Sequence, residues 1–367
     1  MPTYTREQIC RIALQAAHSL SWRQRETLLE QYGSAEAALN HLDGDAAKLI
    51  GDKALQELKQ IKKKGARCLL DQLDSCGAQM VFRGEAGYPV LLGEIADPPQ
   101  ALFLRGTPAA DARSVAMIGS RHDTRYGRTQ AKRIARELAE SGITVVSGLA
   151  RGIDTAAHEG ALEGGGRTVA VLGSGIDRLY PEENAELAQS IMDHGGAILT
   201  EFSFGEEPRA YHFPVRNRII SGMSAAVLLI EGHDRSGTMI TAGYAAEQGR
   251  EVFALPGAVD APGSAAPLRL LREGAGICTC ARDILVDMGW TEKKEAQDRQ
   301  PDPLERLRGL SDTQRCIALL MLEEPRRFEE IAEETGIAPD VLTGELTLME
   351  LDGLIEPRAG RVYALKQ

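Results

Sequence analysis

Nowhere in this chain does an apolar run approach the ~20 residues that a membrane helix needs, although 43% of its 367 residues are hydrophobic. Its first ten residues, MPTYTREQIC, lack the apolar stretch of a secretory signal. Both absences lead to the expectation of a cytoplasmic protein with no membrane contact. No CxxC pair occurs among the six cysteines, and Cys278 and Cys280 are too close-set to make a usual zinc half-site. Reduced thiols are expected, with no metal and no cofactor. Also missing are GxxxxGK[ST], a full GxGxxG after the first strand of the central region, and GxSxG. The signatures of a P-loop ATPase, an ordinary dinucleotide enzyme and a serine hydrolase are therefore absent. Aromatic residues make up only 5%, the net charge is −11, and neither residues 1–110 (13 Lys/Arg, 13 Asp/Glu) nor residues 111–290 (18 and 23) carry a net positive charge. A polyanion would have to be held by a local cluster of cations, not by the summed field.

What the sequence does have is six short glycine-rich loops, each directly after an apolar run. They are VAMIGSR (115–121), VVSGLARGID (145–154), VAVLGSG (169–175), ILTEFSFG (198–205), VLLIEGHDRSG (227–237) and VFALPG (252–257). Strands are expected near 114–119, 143–147, 168–172, 197–200, 226–230 and 251–254. Helices are expected near 127–141, 155–163, 183–194, 216–223, 238–248 and 265–273. Alternation of this kind implies an α/β fold with a doubly wound, mostly parallel sheet. All six loops then lie along one sheet edge, where open α/β sheets bind ligands. The irregular stretch 201–215 reads as a binding loop or lid.

The flanks differ. Residues 1–83 carry helical periodicity, with Ser34 as an expected N-cap and a basic run, IKKKG (61–65). Residues 84–110 form a connecting segment with ALFLRG as a possible strand, and 111–290 hold the sheet domain. Residues 291–303 read as a linker. Residues 304–367 suggest three helices and a hairpin turning at Ala359-Gly360, a winged-helix pattern.

Several loops suit an anion. Gly119, Ser120 and Arg121 follow the first strand, and the next helix is expected to point its positive end at them. In PRAYHFPVRNRIISG (208–222), Arg209, Arg216 and Arg218 surround Phe213 and Asn217. Cations, a flat ring and an amide are what single-stranded nucleic acid requires. Ser174 of the third loop, and Ser236, Gly237 and Thr238 opening a helix, are secondary anion candidates. Asp154 and His158 share a helix face, but structural pairing of Asp154 with an arginine of RNR accounts for it as well. No nucleophile with a partner base stands out.

Taken in order, YPVLLGEIADPPQALFLRG, VAMIGSR, VSGLARGIDTAAHEGAL, VAVLGSGIDRLYPEEN, TEFSFGEEP, FPVRNRIISGMS and IEGHDRSGTMITAGYAAEQGR resemble the DNA-processing protein A (Smf) family. The resemblance implies an extended Rossmann-like domain that binds single-stranded DNA and dimerises. It also implies a SAM-like or helix-hairpin-helix-like N-terminal domain and a winged helix at the C-terminus. A family role in natural transformation, passing incoming strands to the RecA recombinase without catalysis, comes with it. Carried over by position, the DNA pocket is Gly119, Ser120, Arg121, Arg209, Phe213, Arg216, Asn217 and Arg218. One segment departs: GSAAPLRLLREGA (263–275) has Ala266 and Leu268 where the family pattern has glycine and asparagine.

Two rival readings remain open. A nucleotide-processing enzyme, such as a phosphoribohydrolase on a similar sheet, would use Glu201 or Glu231 as its acid. Alternatively the winged helix would be the working duplex binder, but its third helix, 341–353, carries Glu345, Glu350 and Asp352 and no base-reading cation. That helix is expected to pack on a protein, with Arg358 and Arg361 of the wing within reach of a phosphate.

Overall fold

The computed structural model describes residues 4–107, 113–234, 236–291, 310–321, 325–351, 354–358 and 360–365. The chain divides into two units, Met1–Trp290 and Thr291–Gln367. The expected linker lies, apart from residue 291, outside the described residues, as do Asp352 and Ala359.

Six helices open the first unit: α1 (Arg6–Ala16), α2 (Trp22–Tyr32), α3 (Ala35–Asn40), α4 (Gly44–Ile50), α5 (Asp52–Lys64) and α6 (Ala66–Ser75). Local chemistry starts them. Thr5 with Gln8 and Ser21 with Gln24 form capping boxes, and Ser34 caps α3 through the Ala37 amide. The chain then enters the sheet with β1 (Gln79–Phe82) and β2 (Ala101–Gly106), which pair antiparallel. Alternation follows: β3 (Ser114–Ile118), α7 (Arg125–Glu140), β4 (Thr144–Ser147), α8 (Ile153–Glu163), β5 (Thr168–Val171), α9 (Ala185–Asp193) and β6 (Ala197–Thr200). It continues through α10 (His212–Gly222), β7 (Ala226–Leu229), α11 (Gly237–Glu247), β8 (Glu251–Ala254), α12 (Ala265–Arg272), β9 (Gly276–Ile277) and α13 (Ala281–Asp287).

The nine strands run in the order β1-β2-β6-β5-β4-β3-β7-β8-β9. Pairing is parallel from β6 through β9, and β2 meets β6 antiparallel. The chain winds outward from β3 through β4, β5 and β6, then crosses back to place β7 on the other side of β3. The strand order therefore reverses at β3, which puts the ligand crevice of a doubly wound sheet outside the carboxyl ends of β3 and β7. Strands β3 to β7 are buried throughout, as helices on both faces require.

Three sequence expectations need revision. Residues 79–82, assigned to the helical domain, form a strand that pairs with the expected strand ALFLRG (101–106), and the two complete the edge of the main sheet and do not merely connect to it. The bundle is not a separate body either. Its core, with Ile12, Leu28 and Leu58, is continuous with Phe103, Leu149 and Ala170 of the sheet unit. Buried hydrogen bonds from Gln15 to the Glu201 carbonyl and from Ser203 to the Ala16 carbonyl bind the two together. Finally, α10 begins at His212, four residues before the expected start, so Phe213 sits in its first turn and not in a loop.

In the second unit, helices Asp312–Leu320, Phe328–Thr335 and Pro339–Leu351 pack with a three-stranded sheet of order β10 (Arg326–Arg327), β12 (Val362–Leu365), β11 (Ile355–Arg358). Its core joins Ile317, Ile331, Leu342, Leu346 and Ile355. This is the winged-helix arrangement. Arg358 pairs with Glu356 at 2.9 Å and Arg361 approaches Glu329 at 3.9 Å, so both wing cations are already matched with acids. No helix among the described residues is long and apolar enough to cross a membrane.

His158 on α8 is fully buried. Its Nδ1 lies 2.6 Å from the Thr168 hydroxyl, whose own proton goes to the Val145 carbonyl. Nδ1 is therefore the donor and Nε2 is left without a partner. Burial pushes the imidazole pKa from 6.5 down to about 3. Between those values the unfolded chain binds a proton that the native chain does not, so stability falls as pH drops through 6.5 toward 3, by about 1.4 kcal/mol per pH unit from this group. Urea midpoints followed by fluorescence of Trp22 and Trp290, both in the first unit, should fall from pH 7 to pH 5. A His158→Asn protein, which keeps the donor, should lose stability less steeply; equal slopes would contradict this.

Candidate nucleic-acid interface

An open cleft of about 550 Å³ lies at the switch point, with Gly119, Ser120 and Arg121 on one side and Ser236, Gly237, Thr238 and Thr241 on the other. Phe213, Arg216, Asn217 and Ile220 of α10 form a third wall, and Asp154 reaches it from the first turn of α8. The loops after β3 and β7 and the start of α10, far apart in sequence, thus meet at one place.

Each side chain has a defined setting. Arg121 is exposed and has no carboxylate within ion-pair distance among the described residues. Its guanidinium lies over the Phe213 ring, 4.6 Å from the centroid, a cation–π contact. Phe213 itself is half-buried. Arg216 is buried. Its Nη1 donates to the carbonyls of Gly148, at 2.7 Å, and Val171, and its Nε donates to Asn217 Oδ1 at 3.2 Å. Burial lowers its pKa to about 10, while the Asp154 charge works the other way. A Cβ at Gly148 would overlap this guanidinium. Asp154 accepts from the Gly148 and Ala150 amides at 3.1 and 3.3 Å. Burial nevertheless raises its pKa, against the pull of Arg216. Asn217 Nδ2 reaches the Gly237 carbonyl at 3.4 Å, linking α10 to α11.

Other residues fall elsewhere. Arg218 lies on the far side of α10, buried, 3.1 Å from Asp97 and 2.6 Å from Glu201. Two residues along a helix is more than half a turn, so Arg216 and Arg218 cannot share a face. Arg218 is accordingly a core ion-pair cation, not a lining residue. Arg209 is exposed ahead of α10, donates to the Tyr211 hydroxyl at 3.0 Å and does not line the cleft. Ser174 is buried and its hydroxyl is given to the Arg178 carbonyl, so it offers nothing to an anion. The hydroxyls of Ser120 and Ser236 are also engaged, with the His122 backbone and the His233 carbonyl. The N-terminus of α11 opens on the cleft through Gly237, which is exposed.

The start of α7 does not face an incoming anion, contrary to expectation. It holds Glu231 instead, whose carboxylate accepts from the Thr124 amide at 2.9 Å and from the Thr124 hydroxyl. A Cβ at Gly127 would overlap that carboxylate. The two acids considered for an enzyme are thus each engaged: Glu201 with Arg218, Glu231 with the α7 end. No group of three or more His, Cys, Asp or Glu among the described residues could hold a metal.

A family model described as DNA recombination-mediator protein A matches residues 79–289, and one described as the DprA winged helix domain matches 297–361. The chain belongs to the DNA recombination-mediator protein A family. Protein Smf of Escherichia coli K12 is 39% identical over 255 residues, 69% of this chain and 68% of that protein. Protein Smf of Synechocystis is 32% identical over 370 residues, 92% of each. Among solved structures, DNA processing protein A of Streptococcus pneumoniae superposes with a TM-score of 0.65 at 33% identity, covering 78% of this chain and 99% of that one. The Helicobacter pylori protein gives 0.52 at 28% identity over 58% and 96%, in a structure described as showing its single-stranded DNA binding mode.

For a member of this family, the cleft joins most of the residues that the sequence pattern singles out and omits three: Arg209, Arg218 and Ser174. Sequence reasoning missed the seating of Glu231, which lies 107 residues from Thr124. The burial of Arg218 yields a prediction. Arg218→Ala strands Glu201 without its cation, which typically costs 3–5 kcal/mol. The unfolding free energy of the first unit, taken from its urea curve, should fall by that amount, whereas Arg121→Ala should leave it within about 0.5 kcal/mol of wild type. Equal effects would mean that Arg218 is not a core residue.

Proposed function

We propose that this protein binds single-stranded DNA in the cleft between the β3 and β7 loops and acts as a recombination mediator, not an enzyme. The observation that carries the reading is Arg121: an exposed cation with no acid beside it among the described residues, stacked on an aromatic ring, at the ligand edge of a sheet whose family is that of a DNA recombination mediator. Phosphates would sit against Arg121 and the Gly237 end of α11. Asn217 and the Arg121–Phe213 pair would take the bases, with little sequence preference because every base has a π-face. In this reading the protein works in the cytoplasm and dimerises through the sheet domain. It protects incoming strands in natural transformation and hands them to RecA. Arg209, outside the cleft, would meet the strand where it leaves. The winged helix, with Val341 and Leu348 exposed on its third helix, would serve a protein partner and not a major groove.

Gel shifts comparing single- and double-stranded oligonucleotides, with and without RecA and without ATP or metal, test the reading. Single strands should bind preferentially and RecA should join the complex. Arg121→Ala should weaken binding to all sequences and reduce the slope of log K against log salt by about 0.7, the value of one phosphate contact on a single strand. Unchanged affinity and slope would remove Arg121 from the site. Preference for duplex, lost on deleting 304–367, would move the activity to the winged helix.

A further inference from the structure

Phe213 is not an open platform, because the Arg121 guanidinium lies across it. On the other side of the Arg121–Phe213 pair is a second, smaller pocket of about 20 Å³. It shares Arg121, Ala150 and Phe213 with the main cleft and adds Arg151 and Tyr180. The pocket is only large enough for a water, but the lining shared with the cleft places the exposed Tyr180 ring at the cleft's border. The Tyr180 ring is 38% exposed. Its centroid is 6.1 Å from that of Phe213, with the planes tilted by 48°. Arg151, which lines the same pocket, is held by Glu183 through two hydrogen bonds of 2.7 and 2.9 Å. Tyr211, the other exposed ring nearby, is turned edge-on to His212 at 4.5 Å and shares its hydroxyl with Arg209.

We infer that Tyr180 is a second base-stacking platform, taking the unstacked base of the nucleotide next to the one in the main cleft. Stacking of this kind is sequence-tolerant, because every base has a π-face. The strand then crosses over the Arg121–Phe213 pair, with one nucleotide on each side. The inference rests on the reading that the cleft holds single-stranded DNA and adds the path that the strand takes.

The test uses the full chain and fluorescein-labelled oligo-dT of graded lengths at fixed salt. Tyr180→Leu should weaken binding by about 5- to 150-fold, the equivalent of one base stack, and should not change the salt slope, since no cation is removed. Tyr180→Phe should stay within about threefold of wild type, because the π-face is kept. Wild-type protein should cross-link through Tyr180 to oligonucleotides carrying 5-iodouracil on irradiation, a measurement that does not depend on how the variants fold. If the Tyr180→Leu protein binds as tightly as wild type while Arg121→Ala binds weakly, or if cross-links fall only elsewhere, the inference is overturned and the cleft reading stands. No binding of any single strand by the wild type would overturn both.

Discussion

A guanidinium taken out of water organises this sheet edge. Arg216 ties α10 to the carbonyls at the ends of β4 and β5 and lies within reach of the Asp154 charge. Burying a cation is costly unless its hydrogen bonds are met, and here two backbone oxygens and the Asn217 amide meet them. That requirement fixes the rotation of α10. With the helix so turned, Phe213 must face the β3 loop, Asn217 must face α11, and Arg218 must face the bundle. Glycine at 148 is the counterpart of this arrangement, since only a missing side chain leaves room for the guanidinium.

Acidity overall and the proposed attraction for a polyanion are compatible because the arginines divide into two populations. Arg218, Arg128 and Arg151 are matched with acids, and Arg216 is satisfied by carbonyls. Arg121 remains as the exposed, acid-free cation of the cleft among its described lining residues. The site is therefore sparsely charged and rich in flat surfaces and backbone amides. The proposed recognition would depend on the flexibility of the partner, because a duplex cannot offer its bases to rings at the bottom of a crevice.

The sequence made the parallel core legible because its strands are apolar on both faces and each leads into a glycine-rich loop. Hence the six strands, their common direction and the edge carrying Gly119–Arg121 and Ser236–Thr238 all follow from pattern alone. What stayed hidden depends on partners distant in the chain. Nothing local says that Glu231 seats on Thr124, or that Glu201 awaits Arg218. Pro214 reads as a loop residue, yet in the first turn of a helix its missing N–H costs nothing, and this moved the start of α10 ahead of Phe213. The antiparallel β1–β2 edge was masked by the prolines and glycines between its strands. Arg216 and Arg218 looked equivalent in composition and were separated only by helix rotation.

Glu231 also has a bearing on selectivity. In dinucleotide-binding sheets the helix after the first strand receives a pyrophosphate at its positive end. Here that end is neutralised from within by a carboxylate pinned to Thr124. A phosphate brought to that helix end would meet a carboxylate already in place. On the proposed reading, a polymer spreads its hold over several weaker points along the rim instead.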